Sequence, residues 1–401
     1  MGRPARVIKN MRTFTLALVF FAIVACQKQD TAETKRDAGQ PAAPPARTTE
    51  RENGGTVSPR GSYAEVVDRV APGVVTIRSE RRVRAPRQHP FFNDPLFRDF
   101  FGGLFGGAVP RGESVQRGLG SGVIVRSDGY ILTNHHVVDG AQEIKIELRN
   151  HRIFDAKVIG TDPPSDLAVL KIEANDLPTL SLGNSDQARV GDVVLAVGNP
   201  LGIGQTVTAG IISAKSRSTG LSDGSFEDFL QTDAPINQGN SGGALVNTAG
   251  LLVGINSMIL SPTGGNIGIG FAIPVNMARN VMEQLIKTGK VERGHLGISI
   301  QPVTPEIAST LGLSEARGVI VNSVTPNSAA ARAGIRRGDV IVAFNGEPVV
   351  DGNSLRNQVA TTRPGTEAQL TVVRDKREQQ VRATLGEYRP QPAQATGDTR
   401  K

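Results

Sequence analysis

From Tyr63 onward the chain is built from short apolar runs, rich in Val and Ile, each closed by Gly, Asp or Asn. GVVTIRS, GSGVIVRSDGYILT, EIKIEL, DLAVLKI, DVVLAVGN, GLLVGIN and GIGFAIP are examples. Runs of about four to eight residues between turn formers read as strands, and a long succession of them reads as an all-β sandwich or barrel. The composition agrees: 46 Gly and 24 Pro, against 4% aromatic residues and no Trp, favour strands and loops over a helical bundle. One helix is expected over 275–288, where apolar residues recur at helical spacing and Gly289 follows as a C-cap. A chain of 401 residues can bury two cores. A second, smaller β-rich unit starts near Gly294, so domains are expected at 62–290 and 291–387.

The N-terminus has a different logic. Arg3, Arg6, Lys9 and Arg12 precede an apolar run from Phe14 to Ala25. That run is shorter than the ~20 residues a membrane-spanning helix needs, but it suits a signal-peptide core. It ends Ile23-Val24-Ala25-Cys26, which resembles the bacterial lipobox, and Cys26 is the only cysteine in the chain. The resemblance implies a lipoprotein-type signal over 1–26, an acylated Cys26, and a protein tethered to a membrane in the periplasm. Residues 27–61 and the tail 388–401 are polar and poor in large apolar side chains, so both are expected to be disordered. Ten Lys/Arg against five Asp/Glu fall in the first 60 residues, which accounts for most of the net charge of +7. The remainder is close to neutral, which argues against a nucleic-acid groove. Residues 80–117 combine a basic run with six of the fourteen Phe, and read as a mobile apolar loop that docks on another subunit or on substrate.

The strongest local signal for chemistry is Gly239-Asn240-Ser241-Gly242-Gly243. A serine between glycines can present its hydroxyl uncrowded, and glycines let turn N–H groups converge on one point. A serine nucleophile needs a base. Of five histidines, His135 and His136 follow the apolar strand Ile131-Leu132-Thr133, where a rigid element can deliver a side chain to a cleft. His89, His151 and His295 read as surface or structural residues. A base needs a carboxylate to orient it. Asp166 opens the buried-looking run Leu167–Ile172, a costly place for an acid without a partner. Asp162, before Pro163-Pro164, reads as a turn residue. One cysteine, with neither HExxH nor GxxxxGK[ST], gives no reason to expect a metal or other cofactor.

In the order His…Asp…Ser the sequence resembles the trypsin-like serine proteases, and most closely the HtrA/Deg family of bacterial periplasmic proteases. GLGSGVIV, TNHHVV, DPPSDLAVLKI, GNPLGIGQTVTAGIIS, QTDAPINQGNSGGALVN and GGNIGIGFAIP carry it. The resemblance implies a mainly β chain: a trypsin-like double β-barrel followed by one PDZ domain. It implies His136 as base, Asp166 as orienting acid and Ser241 as nucleophile, with the N–H groups of Gly239 and Ser241 as oxyanion hole. Ile236, Leu260 and Ile269 would wall an apolar specificity pocket. The family's protease domains form trimers, so a homotrimer or a multiple of trimers is implied.

In the second unit, GHLGI, VTPNSAA, AGIRRGDVI and FNGEPV look like a PDZ domain. Such a domain adds a peptide strand to a sheet edge and captures its C-terminal carboxylate on backbone N–H groups. His295, Leu296, Gly297 and Ile298 would form the carboxylate loop. The expected function is a cell-envelope endopeptidase that clears unfolded or misfolded proteins. The alternatives are a regulatory protease that cleaves one membrane-associated substrate after PDZ sensing, and a non-catalytic chaperone or adaptor.

Overall fold

The computed structural model describes residues 62–83, 114–199, 204–219, 226–237, 239–259, 267–313 and 315–389. The expected signal peptide with Cys26, the tether, residues 84–113 of the Phe-rich segment, Leu260 and residues 390–401 lie outside them.

The Val- and Ile-rich runs become strands, and the strands close on themselves. β1 (Val74–Val83), β2 (Ser114–Ile124), β3 (Tyr130–Thr133), β4 (Glu143–Glu147), β5 (Ile153–Asp162) and β6 (Leu167–Ile172) form one barrel in the order β1-β2-β3-β6-β5-β4. β7 (Val193–Gly198), β8 (Thr206–Arg217), β9 (Phe229–Thr232), β10 (Ala244–Asn247), β11 (Leu252–Ile259) and β12 (Gly270–Pro274) form a second barrel along the same path. Closure leaves no exposed sheet edge. Residues 80–83 and 114–117, read above as part of a loop, are strand: Glu80 pairs with Arg117 and Val83 with Ser114.

Three helices bear on the two barrels. α1 (Ala64–Val70) buries Val66 and Val70 in the shared core. The single turn α2 (His135–Val138) leaves β3. α3 (Val275–Thr288) is the helix that periodicity predicts. It buries Val275, Ala278, Val281, Met282 and Leu285, and Gly289 ends it at φ 74°. α3 packs between the barrels, touching β5 and β6 on one side and β11 and β12 on the other. Gly160 lets it approach, because a Cβ there would sit 2.9 Å from Leu285 Cδ2.

After the barrels, β13 (Gly294–His295), β14 (Ile298–Pro302), β15 (Val319–Val324), β16 (Val340–Phe344), β17 (Glu347–Pro348), β18 (Glu367–Arg374), β19 (Arg377–Thr384) and β20 (Gly386–Glu387) build a small domain. Its sheet runs β14-β15-β16-β18-β19, β17 adds to β16, and β13 pairs with β20. Short helices α4 (Pro305–Leu311) and α5 (Ala329–Arg332) flank it. α6 (Gly352–Thr361), capped reciprocally by Asp351 and Ser354, buries Leu355 and Val359 in the core of this domain.

The small domain is tied to the barrels by polar groups that sequence proximity does not show. Asp162 closes β5 as expected of a turn residue, yet it is buried and binds the Arg293 guanidinium through both oxygens, one contact measuring 2.8 Å. The Ser165 hydroxyl donates to the same carboxylate. Arg293 in turn stacks over the Phe226 ring at 4.6 Å. Tyr388, expected in the disordered tail, is held instead. Its ring meets Phe226 edge-on at 5.4 Å, and its N–H donates to the Arg293 carbonyl at 2.8 Å. An aromatic ring beside an apolar platform loses less by ordering than the polar residues that follow it.

Arg293→Met leaves a buried carboxylate without its cation. It is expected to lower the free energy of unfolding by about 3–5 kcal/mol in urea titrations, and adding Asp162→Leu should recover most of the loss. A single variant as stable as the parent would contradict this account.

Candidate active site

Each group singled out for chemistry sits on a connection rather than within a strand. His136 lies on α2, between β3 and β4 of the first barrel. Asp166 lies between β5 and β6, at φ 52°. Few residues other than glycine hold that left-handed conformation, and the cost is offset by what the conformation allows Asp166 to bind. Its carbonyl accepts from the His135 N–H (3.1 Å) and from Asn134 Nδ2 (3.0 Å). Its carboxylate accepts from the His136 N–H (3.0 Å) and from the Ser257 hydroxyl (3.0 Å). His136 Nδ1 lies 2.9 Å from Oδ1 and 2.8 Å from Oδ2. Ring and carboxylate are almost wholly shielded, with side-chain exposures of 3% and 8%.

That contact settles the chemistry of the imidazole. A nitrogen flanked by two carboxylate oxygens must carry the proton, which leaves the lone pair on Nε2. His136 is therefore held in the tautomer of a base. His135, one step round the helix, points elsewhere: its Nε2 is 3.6 Å from Asp139. His151 pairs with Glu147 on the surface, and His295 belongs to the small domain.

Ser241 comes from the second barrel, on the turn between β9 and β10. The Asn240 N–H donates back to the Asn237 carbonyl at 2.9 Å, and Gly239 takes φ 95°. A turn with positive φ at its third residue asks for glycine. Gly242 follows at φ 80°, and a Cβ there would fall 2.2 Å from the Ser121 carbonyl and 2.3 Å from Thr133 Oγ1. The turn is thus pressed against the strand that leads to His136. Among the described residues, neither the Gly239 N–H nor the Ser241 N–H donates to an acceptor, and Ser241 Oγ is buried without a hydrogen bond.

β11 binds both halves of the site. Asn256 exchanges backbone hydrogen bonds with Gly242 and Gly243, at 2.8 and 2.9 Å. The ladder to β12 slips between Asn256 and Met258, and Ser257 is the extra residue. A bulge redirects a side chain, and here it turns the Ser257 hydroxyl onto Asp166. Sequence reasoning missed Asn134, Ser257 and Ser121. Only Asn134 left a trace, as a polar residue directly before two histidines.

Of the proposed pocket walls, Ile236 is fully buried, with its Cδ1 2.9 Å from where a Gly270 Cβ would stand, and Ile269, which precedes Gly270 in the chain, is half-buried. In the small domain, the loop His295–Ile298, with Gly297 at φ 76°, opens onto a cavity of about 430 Å³ between β14 and α6. Leu355, Arg356 and Val359 line its helix side, and Phe226 and Tyr388 also line it, with the Tyr388 ring 5.7 Å from that of His295. Burial pushes the His295 imidazole below the usual histidine range.

A serine on a glycine turn, an imidazole held as a base and a two-barrel frame define a serine endopeptidase, here with a peptide-binding domain attached. The trypsin-like peptidase domain family matches residues 120–255, and the PDZ domain family matches residues 294–385. The periplasmic pH-dependent serine endoprotease DegQ of Escherichia coli is 45% identical over 331 residues, covering 82% of this chain and 71% of that protein. A probable periplasmic serine protease do/HhoA-like of Haemophilus influenzae is 45% identical over 339 residues, 82% of this chain and 72% of that protein. The solved structure of the HtrA-type protease AlgW with a decapeptide superposes with TM-score 0.64 at 46% identity, covering 82% of this chain and 100% of that one. The same protease with a tripeptide gives TM-score 0.67 at 44% identity over 82% and 98%. The chain belongs to the HtrA family of serine endoproteases, with one trypsin-like domain and one PDZ domain.

Gly242→Ala combines a disfavoured φ with a clash against backbone. It is expected to destabilise the protease domain by more than about 1 kcal/mol in thermal melts and to abolish peptide hydrolysis. A stable, active variant would show that the turn is looser than described.

Proposed function

We propose that Ser241 is the nucleophile, His136 the general base and Asp166 the residue that orients the base, in a periplasmic protease that cleaves unfolded polypeptides. The observation that carries this reading is the His136 ring clamped by its Nδ1 to both oxygens of Asp166, a carboxylate that also accepts from Ser257 of the opposite barrel. His136 Nε2 takes the Ser241 proton as Oγ attacks the peptide carbonyl. Negative charge builds on that carbonyl oxygen, within reach of the Gly239 and Ser241 N–H groups. Removing one such donor typically costs about 3–4 kcal/mol of transition-state stabilisation. The imidazolium, stabilised by Asp166, protonates the leaving amine, and water activated by the same ring releases the acyl group. Ser241 Oγ is buried without a hydrogen bond among the described residues, and catalytic hydrogen bonds of this kind tighten when substrate binds.

Apolar Ile236, Leu260 and Ile269, with no acid among them, suit small aliphatic side chains before the cleaved bond. The PDZ cavity takes a C-terminal peptide as an added strand along β14, its carboxylate at the loop His295–Ile298. Phe226, from the protease side, lines that cavity, which favours a second reading in which peptide docking adjusts the protease. Under that reading the enzyme stays silent on unfolded protein until a C-terminal peptide is supplied.

Ser241→Ala is expected to lose casein hydrolysis by at least about 10⁴-fold while binding C-terminal peptides with unchanged affinity. Sequencing the wild-type fragments should show aliphatic residues before the cuts. Retained hydrolysis, or cuts after Lys and Arg, would refute the reading. A lipid tether at Cys26 and a homotrimeric working unit complete the proposal. Cells fed labelled palmitate should mark the parent but not Cys26→Ala, and light scattering on the mature protein should give the mass of three copies. Equal labelling of both chains would remove the tether.

A further inference from the structure

Ser121 lies on β2 and is fully buried. Each of its polar groups has a partner, and the partners come from both barrels. Its N–H donates to the Ser241 carbonyl (2.8 Å), and its carbonyl accepts from Thr133 Oγ1 (2.7 Å). Its hydroxyl lies 2.9 Å from the Asn199 N–H and 2.6 Å from the Gly239 carbonyl. The direction is forced. A backbone N–H can only donate, so Asn199 donates to Ser121 Oγ, and the single hydroxyl proton goes to the Gly239 carbonyl.

That carbonyl stands between the two N–H groups assigned to the oxyanion hole. It belongs to the peptide joining Gly239 to Asn240, so its direction sets how the Gly239 and Ser241 N–H groups are turned relative to each other. Within the turn, that peptide is held at its N–H end, where Asn240 donates to the Asn237 carbonyl at 2.9 Å. Gly239 has no Cβ to limit rotation at the carbonyl end, and Ser121 adds a second hold there from the other barrel. Neighbouring glycines make room for it: a Cβ at Gly198 would stand 3.0 Å from Ser121 Oγ, and one at Gly243 would stand 3.2 Å from Ser121 Cβ.

We propose that Ser121 is a positioning residue for the protease reaction, whose hydroxyl holds the 239–241 turn in the form where both N–H groups converge on the oxyanion. The inference rests on the reading of Ser241 as nucleophile. Ser121→Ala removes the hydroxyl without adding bulk. On a short fluorogenic peptide its kcat is expected to fall at least about tenfold, toward the loss seen when an oxyanion donor itself is removed, with KM within about threefold. Labelling of Ser241 by a phosphonofluoridate should slow in parallel, and C-terminal peptide binding should not change. Ser121→Cys, which keeps a weak donor of similar placement, should fall between the two. Ile146→Val, in the core of the first barrel, controls for stability alone and should keep kcat. A folded Ser121→Ala with kcat within twofold of the parent overturns the proposal. So does an equal loss of kcat in the Ile146 variant. Activity that survives in Ser241→Ala, run alongside, would instead overturn the nucleophile assignment and Ser121 with it.

Discussion

A carboxylate at 6% exposure is several kcal/mol too costly to keep unless its oxygens find donors, and Asp166 finds them on two separate barrels. The His136 N–H and ring come from α2 of the first barrel, and the Ser257 hydroxyl comes from the bulge in β11 of the second. Pulling the barrels apart would leave the acid short of a partner. The demand that stabilises the interface therefore also aligns the imidazole. Asp166 accepts a left-handed backbone because that turn directs both its carbonyl and its carboxylate at the start of α2.

The same economy recurs where the PDZ domain joins. Asp162, four residues before Asp166, is buried against Arg293, which stacks over Phe226. The next residue, Glu227, is buried too: its side chain accepts from Ser218 and Thr219, and its carbonyl accepts from Asn353 and Asn357. One short connection between β8 and β9 is thus gripped from three directions. It reaches the peptide cavity through Phe226, and β9 leads from it toward the serine turn. Buried polar pairs of this kind add less net stability than their number suggests, but they tolerate only one arrangement.

The architecture was legible wherever a local pattern sufficed. Val/Ile runs between turn residues gave the strands, and spacing with Gly289 gave α3. The glycine turn marked Ser241, while the choice of His136 over His135 came from family resemblance. Residues alone could not separate the two, since one helical step decides which of them faces Asp166. What stayed hidden was long-range. Ser257 matters because one extra residue in β11 turns its side chain, and alternation cannot reveal a bulge. Asp162 and Arg293 are 131 positions apart and look like ordinary turn and surface residues. Ser121 sits in a Gly-rich stretch whose small residues suggest flexibility, when Gly118, Gly120 and Gly122 are small because Ser79, Val137 and Ile131 of the same barrel press on them, and only Ser121 meets the turn from the other barrel. Tyr388 was lost in the polar tail because a single aromatic side chain leaves no pattern.

The two barrels trace the same strand path, yet neither carries the chemistry alone. The first brings the His136 imidazole with the Asp166 carboxylate. The second brings a hydroxyl and the open N–H groups. The bonds that bring them into register, from Ser121 to Ser241 and Gly239 and from Ser257 to Asp166, exist only when the barrels are docked. A chain with one barrel folded has buried much of its apolar surface but holds no aligned site, because the Gly239 carbonyl is without its Ser121 donor and Asp166 is without its Ser257 donor.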